Sequence, residues 1–159
     1  MVTESVGSKG ASAVFLNMQT DSRTAVITEG DLLELDSDGY VTKCSAAAST
    51  KFIGVAASTV AATSSSSQKQ ISVQVEGKCR ARGIYDTGGS YTTAIVPGER
   101  VQIADDNLGS YDGQVVAHAA DISSSDPNAV VCMGIALTGL GTAATTPQNI
   151  DILLQSRSS

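Results

Sequence analysis

One pattern of glycines and short apolar alternations runs through this chain twice, and that doubling constrains the fold more than any single motif. The first pass reads Ile27, Gly30-Asp31-Leu32, Gly39-Tyr40-Val41, Ile53-Gly54-Val55-Ala56 and then Ile71 to Val75. The second reads Ile95, Gly98-Glu99-Arg100-Val101, Gly113-Gln114-Val115, Met133-Gly134-Ile135-Ala136 and then Ile150 to Leu154. Gly30 to Gly39 spans about nine residues where Gly98 to Gly113 spans about fifteen, and Gly39 to Gly54 about fifteen where Gly113 to Gly134 spans about twenty-one. The passes match if the second carries two six-residue insertions, in "DDNLGS" and near "DISSSD", where loops accommodate extra length.

Each pass reads as strands. Leu33 and Leu35 alternate with Glu34 and Asp36, Tyr40 to Thr42 form a return strand, and "KFIGV" (51–55) and "ISVQV" (71–75) follow. Cys79 and Ala81 alternate with Arg80 and Arg82, Pro97-Gly98 opens a type II turn into a strand over 100–103, and "GQVVAHA" and "AVVCMGIAL" supply two more. "STVAATSSSSQKQ" is a surface loop, "GLGTAATTP" (139–147) a connector, and a short helix near Ala119 to Ser124 is the one helical expectation. Hydrophobic residues make up 42% of the chain but aromatic ones only 4%, with no Trp, so the core comes from Val, Ile, Leu and Ala, which fill thin sheet layers. The expected class is all-β. Residues 1–23 read as an extended N-terminal arm with one apolar island at Ala13 to Leu16, ahead of a single β-rich domain over 24–156 with similar halves at about 25–77 and 93–154.

Net charge of −6 with no Lys/Arg cluster removes the electrostatic footprint that nucleic acid or an anionic membrane requires. The start "MVTESVGSKGASAVFLNM" lacks the apolar stretch of a signal peptide, and no run reaches the roughly eighteen apolar residues of a membrane span. Synthesis in the cytoplasm is the expectation. Cys44, Cys79 and Cys132 are odd in number and far apart, which speaks for buried small side chains over a disulfide framework or zinc knuckles, with an intersubunit crosslink as the alternative. A charged fraction of 16% fits a surface packed against neighbours.

The acidic run in "EGDLLELDSDGYVTK" (29–43) raises calcium first. In an EF-hand loop starting at Asp36 the sixth position needs Gly and the twelfth Glu; here they are Val41 and Ala47, so the run reads as a hairpin turn at Asp38-Gly39. Asp105-Asp106-Asn107 with Asp112 is the remaining cation candidate, set against a solvated loop. Glu34 and Asp36 share one side of a strand and face solvent or a partner, with no pocket to shift their pKa. His118, the only histidine, would have to serve any Ser-His-Asp set, with Asp121 or Asp126, yet no Gly-x-Ser-x-Gly elbow exists. "GLGTA" and "TGGS" lack the Lys-Ser/Thr of a phosphate loop. The expectation is therefore no enzyme, no catalytic residue, no metal and no cofactor.

"ITEGDLLELDSDGYVTKCSAAASTKFIGVAAS" followed by "ISVQVEGKCRARG" resembles the head decoration, or capsid cement, proteins of tailed phages. The shared elements are Gly30-Asp31-Leu32, Gly39-Tyr40-Val41, Ala46 to Thr50, Ile53-Gly54-Val55-Ala56 and Val73-Gln74-Val75-Glu76-Gly77, with "VPGERVQIADD" and "CMGIAL" similar to the family's second half; the likeness covers about 25–154. The inserted segments and the long Ser loop depart from the commonest versions.

The resemblance implies a compact, small β-sandwich or β-barrel-like domain of β-tulip type with an extended N-terminal arm. It implies a virion protein on the outer capsid surface, made in the host cytoplasm. Such a protein sits as a homotrimer at threefold and quasi-threefold positions and clamps neighbouring major capsid subunits. Its partners would be the major capsid protein and itself, with no nucleic acid and no membrane. Val14, Phe15 and Leu16 are then the expected capsid anchor. The alternative is a receptor- or glycan-binding surface module using Tyr85, Tyr91 and Tyr111.

Overall fold

A computed structural model describes residues 13–20, 26–44, 51–62, 68–84, 94–103, 115–117, 132–141 and 146–154. Every regular element in them is a strand: β1 (Val14–Gln19), β2 (Leu32–Leu35), β3 (Val41–Lys43), β4 (Phe52–Ala56), β5 (Gln70–Gly83), β6 (Arg100–Ile103), β7 (Val115–Ala117), β8 (Cys132–Ala136) and β9 (Gln148–Leu154). The chain is all-β, a curled, mostly antiparallel sheet. The helix expected near Ala119 lies outside the described residues.

The sheet resolves into two units of the same design. In the first the hydrogen-bonded order is β3-β2-β4-β5-β1, and the curl is closed by a parallel bridge between Thr20 and Val41. In the second the order is β7-β6-β8-β9-β5, closed by a parallel pairing of Gly83 with Val115. The registers agree residue by residue. Leu33 faces Gly54 and Lys43 in the first unit, and Val101 faces Gly134 and Ala117 in the second, with a register shift just after Leu33 and just after Val101. The bridge Ile27–Val60 has its counterpart in Ile95–Leu140.

The entry turns match too. Asp31 N–H donates to Thr28 O at 2.9 Å and Glu99 N–H to Val96 O at 3.1 Å, with Gly30 at φ 93° and Gly98 at φ 89°, the signature of a type II turn. In each, the acidic side chain accepts from the first turn residue: Asp31 Oδ2 from Thr28 N and Glu99 Oε2 from Val96 N.

β5 serves both units. Its residues 70–76 pair with β1, and its residues 77–83 pair with β9. Met18 pairs with Ile71 as Ala81 pairs with Ile150, and Leu16 with Val73 as Cys79 with Ile152. β1 is therefore the leading strand of the first unit, equivalent to the second part of β5. Val14–Gln19, expected in the extended arm, is a hydrogen-bonded strand of the sheet; residues 1–12 lie outside the described residues.

The two cores follow from this arrangement. One gathers Ile27, Leu33, Val41, Ala56, Val60, Ile71 and Val73, with Met18 packed beside them. The other gathers Ile95, Val101, Ile103, Leu140, Ile150, Ile152 and Leu154 with Cys79 and Ala81, and it also takes in Leu32, Cys44 and Val55 from the first unit. Leu32 and Leu33 are adjacent and both fully buried, one in each core. β2 thus buries both of its faces, where plain alternation would leave one exposed.

Gly54 and Gly134 fix how closely β4 and β8 approach their neighbours. A Cβ on Gly54 would stand 2.3 Å from Gln74 O, and one on Gly134 2.3 Å from Leu153 O. Gly54→Ala should therefore lower unfolding free energy by about 2 kcal/mol or more, since backbone has to move. At Gly39 a Cβ meets nothing within 4 Å among the described residues and its φ of 83° is what resists substitution, so Gly39→Ala should cost about 1 kcal/mol. Urea denaturation of both variants checks the ranking.

Candidate functional site

The acidic turn that opens the calcium question is closed on itself. Asp36 Oδ1 accepts from Asp38 N at 2.9 Å and Tyr40 N at 2.8 Å, while Asp36 N–H donates to Tyr40 O at 2.9 Å and Gly39 carries the positive φ. Asp36 is the acceptor that ties the hairpin. Glu34 is half-buried and stands opposite Thr42 and Phe52, so the two carboxylates do different work.

The carboxylate with the most demanding environment is Asp31. Its side chain is fully buried at the boundary between the units; Oδ2 takes the Thr28 N–H and Oδ1 takes Arg82 Nη1 at 2.8 Å. Arg82 N–H also donates to Gly30 O at 2.9 Å. The first unit's turn is thereby docked on the second unit's leading strand by a backbone bond and an ion pair. Within the sequence Asp31 is only one member of a Gly-Asp-Leu motif; that it meets a cation fifty-one residues on is a product of topology. Removing one member of such a pair strands the other, so Asp31→Ala should cost on the order of 3 kcal/mol. A smaller loss for the double variant Asp31→Ala/Arg82→Met than for the two singles added would confirm the coupling; thermal denaturation reads it.

Beside this contact lies an open concavity of about 400 Å³, lined by Phe15, Glu29, Val55 and Ala57 on one side and by Lys78 and Arg80 among others on the other. Several of its polar groups are engaged. Lys78 Nζ lies 2.8 Å from Asp151 Oδ2, Arg80 Nε lies 4.0 Å from Asp151 Oδ1, and the Gln74 amide donates to Glu76 O at 3.1 Å and Lys78 O at 2.7 Å. Cys79 is a free thiol in its wall, and burial, reinforced by the charge of Asp151, pushes it up to about 12. It is protonated at neutral pH, which makes it a poor nucleophile.

The folded state holds this proton where the unfolded chain, with an ordinary thiol near 9.0, releases it. The contribution to stability is complete below pH 9 and is lost as pH rises toward 12. Melting temperature should accordingly fall more steeply between pH 9 and 11 in the native protein than in Cys79→Ala.

β1 is the other notable surface. Val14, Phe15 and Leu16 are 40%, 52% and 47% exposed on a strand that, among the described residues, pairs along its length only with β5. An edge strand with bare apolar side chains is usually covered by something. The remaining candidates, His118, Asp121, Asp126, Asp105, Asp106, Asn107, Asp112, Tyr85, Tyr91 and Tyr111, lie outside the described residues. Cys44 is buried like Cys79, and no group of three or more His, Cys, Asp or Glu among the described residues is placed to hold a metal ion.

No family model matches the chain, and no curated protein matches it.

Proposed function

We propose that this chain is a structural protein of a tailed-phage head that binds the outer surface of the expanded capsid and holds neighbouring major capsid subunits together. The observation that carries the reading is the exposed apolar leading strand: Val14, Phe15 and Leu16 stand on the edge of a small, weakly charged, all-β body. The resemblance of the Gly-Asp-Leu, Gly-Tyr-Val and Ile-Gly-Val-Ala elements to the decoration family points the same way.

The chemistry of the reading is adhesive. Strands already hydrogen-bonded into a sheet have little backbone freedom left to lose on docking. Repetition over a lattice lets modest affinity per copy hold the shell, because each contact is made at high effective concentration. In this reading the partners are the major capsid protein and further copies of the chain, arranged as trimers at threefold and quasi-threefold positions, and Val14 and Phe15 are among the residues that reach the capsid.

Expanded, undecorated heads built from the major capsid protein encoded nearest this gene provide the test. The intact chain should co-sediment with them and raise the temperature at which they lose DNA. Val14→Ser/Phe15→Ser should lower occupancy at least tenfold. Failure of the intact protein to bind would overturn the reading, and unchanged occupancy of the double variant would overturn the assignment to β1.

A further inference from the structure

The two units are equivalent in strand order and register, yet their docking surfaces are not equally used. The first unit's turn docks on the second unit's leading strand: Gly30 sits against Arg82, Asp31 pairs with it, and Leu32 and Val55 are buried in the second core. The same turn of the second unit meets nothing comparable among the described residues. Around Gly98 a Cβ would find no atom within 4 Å among the described residues. Glu99 and Arg100, the counterparts of Asp31 and Leu32, are exposed, and Val96 and Leu137 beside them are 49% and 41% exposed.

The complementary half of the contact is bare as well, on the first unit. Its leading strand is β1, where Leu16 answers to the buried Cys79 and Gln19 to Arg82. Cys79 is 6% exposed, in the core that the first unit's Leu32 and Val55 complete; Leu16 is 47% exposed. One chain thus carries an unused turn face at one end and an unused leading strand at the other, and the contact that would join them is already made once inside the molecule.

We infer that the turn face of the second unit (Gly98, Glu99, Leu137) docks on β1 (Leu16, Gln19) of a second copy of this chain, a head-to-tail contact placed like the one that joins the two units within one, with Arg100 in the position of Leu32. The chemistry at the seam fits. Glu99, already held in the pose of Asp31 by its bond from Val96 N, would accept from the Gln19 amide where Asp31 accepts from Arg82. Leu137 stands where the first unit has Ala57, which lines one concavity with Cys79, the counterpart of Leu16; between chains the larger side chain would cover Leu16. Lys78, the counterpart of Phe15, keeps 61% of its side chain exposed at the internal seam, so Phe15 stays accessible to a capsid after docking. A contact between two different faces is heterologous and propagates until a ring closes.

The proposal stands on the repeat and does not require the capsid reading. Analytical ultracentrifugation of the full chain over a hundredfold concentration range should show assemblies larger than a monomer. Leu16→Arg and Leu137→Arg, each checked for an unchanged far-ultraviolet spectrum and melting transition, should each be monomeric. Mixed in equal amounts, they should form a dimer and nothing larger, because one intact strand then meets one intact turn face. Gln19→Arg, which copies Arg82, should tighten association at least fivefold, and Glu99→Gln should cancel that gain. A wild-type chain that stays monomeric, single variants that assemble like wild type, or a mixture that remains monomeric would each overturn the proposal. A monomeric wild type that still coats expanded heads would do so while leaving the capsid reading standing.

Discussion

β5 belongs to both units, and the bond pattern at its centre governs how they meet. Gly77, with φ 91°, bends the strand where it passes from pairing with β1 to pairing with β9. The carbonyls of Glu76 and Lys78 on either side of the bend turn to the buried amide of Gln74. A buried amide with two acceptors in reach is held firmly, and breaking one bond would leave a polar group unsatisfied. From that fixed bend the second part of β5 is aimed so that Arg82 reaches Asp31 and Gly30, and the turn of the first unit has a strand to rest on.

The duplicated pattern was legible because its elements are local. Gly30 and Gly98 are needed for the turn, Gly54 and Gly134 for the approach of neighbouring backbones, and both demands leave a glycine at a set place. The hairpin at Asp38-Gly39 could be read for the same reason, since its hydrogen bonds span only a few residues. What could not be read is what the chain brings together from afar. β1 looked like an arm because residues 1–23 are polar and small apart from the island Ala13 to Leu16, and its pairing with β5 depends on partners more than fifty residues away. Arg82 and Asp31 look like ordinary charges of an alternating strand and a turn, and nothing in their neighbourhoods announces the pair. Leu32 broke the rule of alternation because a second core, absent from any local pattern, covers its face.

The differences between the units are as informative as their likeness. Where the first unit has Leu32 facing the second core, the second unit has Arg100, exposed. Where the second leading strand carries Lys78 and Arg80, balanced by Asp151, the first carries Phe15 and Asn17 opposite Gln74 and Ser72. Of the two leading strands, the second carries the charge and the first the exposed apolar area. That asymmetry gives the molecule two distinct ends and carries the proposed adhesive role.

The single strand shared by both units also orders events during synthesis. Every sheet pairing of the first unit lies between Val14 and Glu76, so that unit holds all its strands before the second has left the ribosome. The strand that completes it runs on without interruption into residues 77–83, an edge already extended and waiting for β9. The longest-range pairings of the second unit then form against a template instead of between two free segments, which shortens the search that makes β-rich chains slow to fold.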